Sequence, residues 1–282
     1  MIEIGNFNKL EVVRTSDIGY YLEGHGKTTS DDILLPRKSA VGEFNVGDEV
    51  GVFIYRDSKD RIIATMKQPK STVGQVQYLE VVDKSKVGYF ISIGLERDVL
   101  VPFKEISYDL EVGKSYLFYI YLDKTDRIAA TTKVDKHLHH TTTYNIGDEV
   151  EGTIYGTHKN GNVMVALENT YRGLILSKEY FAKAVMGEVL KVRVKKYFDD
   201  GKVEVTARKP RLEEMDSIEE VIMKYLESHN GFMIYNDKSD AEEIKKAFKS
   251  SKNTFKRALG GLMKKGLITQ NEEGTRLKVT QE

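Results

Sequence analysis

Three short stretches carry residue types that perform chemistry in other proteins. Gly24-His25-Gly26-Lys27-Thr28 ends like a phosphate-binding loop. The first glycine such a loop needs would fall at Tyr21, and no helix follows whose amides would cradle a phosphate. Phe90-Ile91-Ser92-Ile93-Gly94 lacks the first glycine of a nucleophile elbow and reads as a strand, so Ser92 is not expected to attack a substrate. His137, His139 and His140 precede Thr141-Thr142-Thr143 with no carboxylate or thiolate at ligand spacing, which predicts a linker with adventitious metal affinity at most. The chain contains no Cys, which removes thiolate nucleophiles, thiolate ligands and disulfides together. The expectation is a non-enzymatic protein without cofactor or metal centre.

Charge is more informative. Lys plus Arg number 43 and Asp plus Glu 43, yet the balance hides segregation. From Lys245 to Lys265 there are eight cations (Lys245, Lys246, Lys249, Lys252, Lys256, Arg257, Lys264, Lys265) and no acid. Just before them, Glu213, Glu214, Asp216, Glu219, Glu220 and Glu227 face Lys224 alone. Of the remaining chain only residues 137–210 are net positive, with 11 basic and 9 acidic side chains. A polyanion gains by releasing counterions at such patches. The competing expectation is a solvated helix face that pairs with the acidic helix of the same or another molecule.

The elements that must hold these residues begin with a repeat. Asp60-Arg61-Ile62-Ile63-Ala64-Thr65-Met66-Lys67 recurs 66 residues later as Asp126-Arg127-Ile128-Ala129-Ala130-Thr131-Thr132-Lys133, and Asp200-Gly201-Lys202-Val203-Glu204-Val205-Thr206 closes a third, more diverged copy. A glycine turn precedes each ending, at Gly47, Gly113 and Gly187. Val189 to Lys195 alternates at period two, which places Leu190, Val192 and Val194 inside and Lys191, Arg193 and Lys195 on the outer face. Short strands between Asp/Gly turns predict three barrels of about five strands each, a mainly β protein.

After Pro210 the period changes. Ser217-Ile218-Glu219-Glu220 reads as a capping box opening a helix with Ile218, Val221, Ile222, Tyr225 and Leu226 on its apolar face. Ser239-Asp240-Ala241-Glu242 repeats the device ahead of Ala241, Ile244 and Phe248. A third helix from near Ser251 turns Phe255, Ala258, Leu259, Leu262 and Met263 inward and stops at Gly266. Gly260-Gly261 within it implies either close approach of a neighbouring backbone or an earlier helix end. Two short strands around Asn271-Glu272-Glu273-Gly274 complete a winged helix-turn-helix. The expected modules are 1–68, 71–134, 144–210 and 211–282. With 40% hydrophobic residues the 282-residue chain builds ordinary cores, and its lack of any long apolar run predicts a cytoplasmic protein that does not enter membranes.

The copies resemble the S1 RNA-binding domain, an oligonucleotide-binding (OB) barrel. Copy two shows the pattern in Gly88-Tyr89-Phe90-Ile91, Val99-Leu100-Val101-Pro102-Phe103, Val112-Gly113-Lys114 and Asp126-Arg127-Ile128-Ala129-Ala130-Thr131. Three such barrels followed by a winged helix resemble the conserved virulence factor B family of bacterial RNA-binding regulators. The resemblance implies single-stranded RNA as partner, regulation of gene expression after transcription, and base stacking on Tyr21 and Phe90, bordered by Arg37, Lys84, Lys86 and Lys104. The counterpart in copy three is expected at Val163, and Pro36 and Pro102 stand where the S1 pattern has a histidine. The same rings would also serve as barrel core. A helix-turn-helix normally presents its second helix to nucleic acid, which nominates Lys252, Asn253, Lys256 and Arg257, with Lys245 and Lys249 alongside. The rivals are a protein-interaction scaffold working through barrels one and two and a regulator that binds duplex DNA.

Overall fold

Alternating apolar residues between polar turns produce strands throughout the first two hundred residues. The structure, a computed structural model, describes residues 2–24, 31–207 and 211–278, without the side chains of 211–217. His25 to Thr28, in the stretch that ends like a phosphate loop, lie outside the described residues. Barrel one comprises β1 (Phe7–Ser16), β2 (Gly19–Leu22), β3 (Ile33–Pro36), β4 (Glu49–Arg56) and β5 (Ile62–Thr65). Barrel two comprises β6 (Val76–Lys84), β7 (Gly88–Ile91), β8 (Val99–Pro102), β9 (Ser115–Leu122) and β10 (Ile128–Thr131). Barrel three comprises β11 (Glu149–Thr157), β12 (Val163–Leu167), β13 (Tyr171–Ile175), β14 (Val189–Tyr197) and β15 (Val203–Thr206). Each closes in the order first-second-third-fifth-fourth, so no strand is left with an open edge. The long first strand of each bends at a bulge, between Val12 and Arg14, Val81 and Asp83, and Ile154 and Gly156.

The repeated Asp motif is a turn device. Asp57 Oδ1 accepts from the amides of Lys59 at 2.8 Å and Arg61 at 3.0 Å, and Asp123 Oδ1 accepts from those of Thr125 and Arg127 at 2.7 and 3.1 Å. Asp60, Asp126 and Gly201 then take φ of 65°, 54° and 78°, a left-handed conformation that Asp tolerates and Gly adopts freely. Partial burial opposes charge on Asp123, but the bonds from Thr125 and Arg127 outweigh it and hold the carboxyl below its usual range.

Inside, Val12, Leu22, Leu35 and Ile54 fill barrel one, Val81, Ile91, Phe118 and Ile120 fill barrel two, and Ile154, Val165, Val192 and Val205 fill barrel three. Full burial of such side chains contributes about 1.5–3 kcal/mol each. Leu190, expected inside, is only partly buried.

The barrels are bonded to one another. Arg127 Nε donates to Asp60 Oδ1 at 2.8 Å, Lys38 Nζ lies 3.0 Å from Glu96, and the amide of Val73 donates to the carbonyl of Gly5 at 2.9 Å. The histidine segment, expected as a plain linker, forms the second junction. Val134 and Leu138 are buried with Leu117 of barrel two and Tyr155 and Ala166 of barrel three, and His137 stacks on Tyr119 at 3.3 Å between centroids. Burial and neighbouring Lys136 hold the His137 pKa below its ordinary value, so the stacked ring is neutral near pH 7. Among the described residues no group of acidic and histidine side chains has the arrangement of a metal site, and no helix is long and apolar enough to cross a membrane.

The C-terminal module is a winged helix: α1 (Arg211–Ser228), β16 (Phe232–Met233), α2 (Ala241–Phe248), α3 (Lys252–Lys264), β17 (Ile268–Asn271) and β18 (Gly274–Leu277). Several details differ from expectation. Helix α1 begins at Arg211, so Ser217 lies within it and opens nothing, and Val221 is exposed. Asp240, not Ser239, caps α2 by accepting from the amides of Glu242 and Glu243, while Ser239 accepts from the amide of Asn236. Ala241 and Met263 point to solvent. Helix α3 starts next to Ser251 as expected, and Ser251 caps it by accepting from the amide of Thr254. Helix α3 runs through both glycines to Lys264. A Cβ on Gly261 would meet Glu219 Oε1 of α1 at 2.1 Å, so the close neighbour is a side chain.

Candidate nucleic-acid interface

Strand register defines one outward row on each barrel, crossing all five strands. In barrel one it reads Arg14, Tyr21, Leu34, Ile63 and Tyr55. In barrel two it reads Asp83, Phe90, Leu100, Ala129 and Tyr121. In barrel three it reads Gly156, Met164, Leu174, Glu204 and Lys196. The counterpart of Tyr21 and Phe90 is therefore Met164, and Val163, the expected counterpart, is buried core. Copy three carries Asn162 as an extra residue between glycine and strand, which displaced the count by one.

Tyr21 is half-buried, and the Arg14 guanidinium lies 3.6 Å from its ring centroid and 3.5 Å from Asp32. One ring face is thus occupied by a cation of the same barrel, so it is not open for stacking. The surrounding cleft, about 480 Å³, is lined by Asp31, Asp32 and Asp57 against Arg61, which is itself bonded to Asp57. Arg37 is exposed, with Nη2 donating to the Ser16 carbonyl at 3.2 Å.

Phe90 is half-buried and lines a second cleft together with Lys104. The register sets Lys84 opposite Tyr89 and Asp83 opposite Phe90. Lys84 therefore shares Tyr89's side of the sheet, 5.1 Å from that ring, and does not border the Phe90 face as expected. Lys86 is exposed in the turn before β7.

The third barrel corrects the expectation of a basic outer face. Lys191 and Arg193 sit opposite Glu151 and Glu149 of β11. Lys195, at a bulge in β14, lies 3.0 Å from Glu179 and 3.2 Å from Glu204. The Glu179 hydrogen bond outweighs partial burial, and with Glu204 raises the Lys195 pKa above its ordinary value. Glu204 is 3% exposed and stands in the middle of the outward row. Much of the strand's positive charge is consumed within the barrel.

In the winged helix, Asn253, Lys256, Arg257, Gly260 and Lys264 are all exposed, at the i, i+3, i+4, i+7, i+11 spacing of one helix face. Lys256 approaches Asp237 at 3.5 Å, an exposed pair of little strength. Lys252 Nζ donates to the Lys238 carbonyl at 3.3 Å. Lys265, off this face, takes the buried Glu219 of α1, which is where the acidic and basic helices meet. Lys245, Lys246 and Lys249 line a groove of about 440 Å³ with Phe181 of barrel three, against Glu242 and Glu243 in the first turn of α2. Sequence reasoning missed Phe181, since no local pattern reveals a ring that another module will face.

Comparison with known proteins accords with this arrangement. The S1 domain family matches residues 4–67 and 73–133, and the CvfB-like winged helix domain matches residues 220–277. YitL of Bacillus subtilis is 30% identical over 275 residues, covering 94% of this chain and 91% of that protein. Conserved virulence factor B of Staphylococcus aureus is 28% identical over 276 residues, with the same coverage.

The chain belongs to the conserved virulence factor B family.

A solved structure from Streptococcus pneumoniae, described as a multidomain protein with nucleic acid binding domains, is 27% identical, covers 98% of both chains and superposes with a TM-score of 0.52. In this member of the family the third barrel has the same closed topology as the two matched S1 domains, although its outward row has lost the aromatic ring. S1 and winged helix domains are typically binding modules, which suggests contact with nucleic acid.

Proposed function

We propose that this protein is a non-enzymatic, cytoplasmic binder of single-stranded RNA that regulates gene expression after transcription. Its working units are taken as 1–68, 71–134, 144–210 and 211–282. The observation that carries the reading is the exposed face of α3, whose own residues include no acid although Asp237 lies 3.5 Å from Lys256, continued around the helix turn by the lysine groove that Phe181 of barrel three shares. A flexible polyanion follows such a discontinuous track, since cations hold its phosphates and rings take its splayed bases. Nothing in the cationic set demands base-specific readout, and tethered modules combine weak contacts by raising local concentration. The family and the domains described in the pneumococcal structure support nucleic acid as the class of partner. A protein-docking role for barrel one is the second reading, favoured by its acidic cleft and its covered Tyr21 ring.

A salt-dependent gel-shift series with single-stranded RNA, single-stranded DNA and duplex DNA tests the proposal. Single-stranded RNA is expected to bind tightest, with log affinity falling against log salt by about 0.7 per phosphate held. Duplex preference would make the winged helix a DNA reader instead, and indifference to all three would leave a scaffold. Glu204→Gln is expected to tighten RNA binding roughly two- to fivefold, because it releases Lys195 and Lys196 from a buried carboxylate and each freed cation contributes ~0.2–1 kcal/mol. Unchanged or weaker affinity would take barrel three's outward row off the RNA path.

A further inference from the structure

We propose that the cleft between barrels one and two is a pocket for a single nucleoside phosphate, either free or at the end of a strand. The site lies apart from α3 and shares with the RNA-binding reading only the assignment of barrel two's outward row to nucleotides. Its floor is the apolar part of that row, Phe90, Leu100 and Ala129, with Tyr121 beside it. Its wall comes from the end of β4, where Tyr55 and Arg56 of barrel one face barrel two. The cleft's volume is about 260 Å³, just below the usual range of small-ligand sites and too small for a run of stacked bases.

Charge favours an anion. Arg56, Arg97, Lys104 and Arg127 line the cleft against Asp98 and Asp123, with Asp60 beside it paired to Arg127 and near Arg56 and Arg97; the cations still outnumber the acids, and Asp123 is occupied by its own turn. Arg97 gives one N–H to the Asp57 carbonyl at 2.5 Å, and Arg56 Nη1 donates to the Asp60 carbonyl at 2.8 Å. Both therefore anchor to backbone oxygens of the 57–60 turn, and most of their five donors remain for a ligand. The Nε of Arg56 is buried and meets no hydrogen-bond acceptor. That atom is sealed from the cleft, so the outer nitrogens of Arg56 and Arg97 are the ones a ligand meets, and a phosphate oxygen is the acceptor that a guanidinium matches best. The wall is held in register by the Arg127–Asp60 bond. That bond also keeps the Asp60 carboxyl below its ordinary range and so charged near pH 7. A base on Phe90 and a phosphate at Arg56 and Arg97 together account for an aromatic floor and a cationic wall in one cleft.

Calorimetric titration of the intact chain with nucleoside 5′-monophosphates, and with a short RNA carrying or lacking a terminal phosphate, tests this. Saturable binding is expected, weakened about tenfold by Phe90→Ala and similarly by Arg56→Gln, with circular dichroism reporting whether each variant folds. Arg97→Gln, at an exposed position, supplies a second reading should Phe90→Ala unfold barrel two. Binding of the monophosphates identifies a free nucleotide as ligand. Preference for the phosphate-ended RNA over its unphosphorylated twin identifies a strand end. If neither class binds, or if Arg56→Gln and Arg97→Gln both bind as the parent does, the pocket is not a nucleotide site. RNA binding that persists through α3 in that event leaves the proposed function standing. Nucleotide binding without strand binding would overturn that function alone.

Discussion

Lys256→Glu combined with Arg257→Glu is expected to weaken single-stranded RNA binding about tenfold and to flatten its salt dependence by about 1.4 in log-log slope. Both side chains are exposed on the face of α3 that carries no acid, so each is available to a phosphate. An exposed charge pair contributes ~0.2–1 kcal/mol, and reversal replaces two attractions by two repulsions, which reaches about 1.4 kcal/mol, a factor of ten. The slope change is the more diagnostic readout, since every phosphate no longer neutralised lowers it by about 0.7 whatever the RNA sequence. Reversal at Lys256 also brings a carboxylate toward Asp237, which the parent lysine approaches at 3.5 Å. A thermal melt therefore accompanies the titration, and Lys256→Gln with Arg257→Gln separates the missing attraction from local repulsion. Unchanged affinity and slope would remove the winged helix from the RNA path.

The parts of this molecule that were legible in its sequence are those fixed by neighbours along the chain. The Asp57 and Asp123 turns bond to amides two and four residues on, so the repeat announces three barrels before any contact is known. Period-two alternation places Val192 and Val194 inside for the same reason. What it does not carry is the strand that will lie alongside. Lys191 and Arg193 point outward as read, yet Glu151 and Glu149 of the distant β11 arrive opposite them, and Glu204 reaches Lys195 from β15. Outwardness was legible and availability was not. The caps failed differently. Ser217 and Ser239 have the right side chains, but α1 is already helical from Arg211, and Asp240 stands one residue nearer the α2 amides. Arg56 and Phe181 belong to a third case, because each gains its meaning from a neighbouring module.

Gly260 and Gly261 separate helix propensity from packing. Gly260→Ala is expected to stabilise the winged helix by about 0.5–1 kcal/mol, because nothing lies within 4 Å of the new methyl group and glycine is a poor helix former. Gly261→Val is expected to destabilise it by about 3 kcal/mol, the upper end of what overpacking a filled site costs. Its Cβ would fall 2.1 Å from Glu219 Oε1, and that residue is 6% exposed and accepts from Lys265 Nζ. Pushing the carboxylate away from its ammonium adds to the steric cost, since a buried charge that loses its partner is strongly penalised. Amide hydrogen exchange across α1 and α3 reads the module separately from the barrels, whose unfolding would blur a melt of the whole chain. Gly261→Val with Glu219→Gln is the deciding combination. If the glycine is kept for the carboxylate's room, the second change leaves the steric cost and removes the charge cost, so the double variant loses less than the two singles summed. Gly260→Val is the matching control: its side chain enters open space, and valine is no worse a helix former than glycine, so stability should hold. Should the two positions respond alike, the α1–α3 contact does not explain the glycine pair.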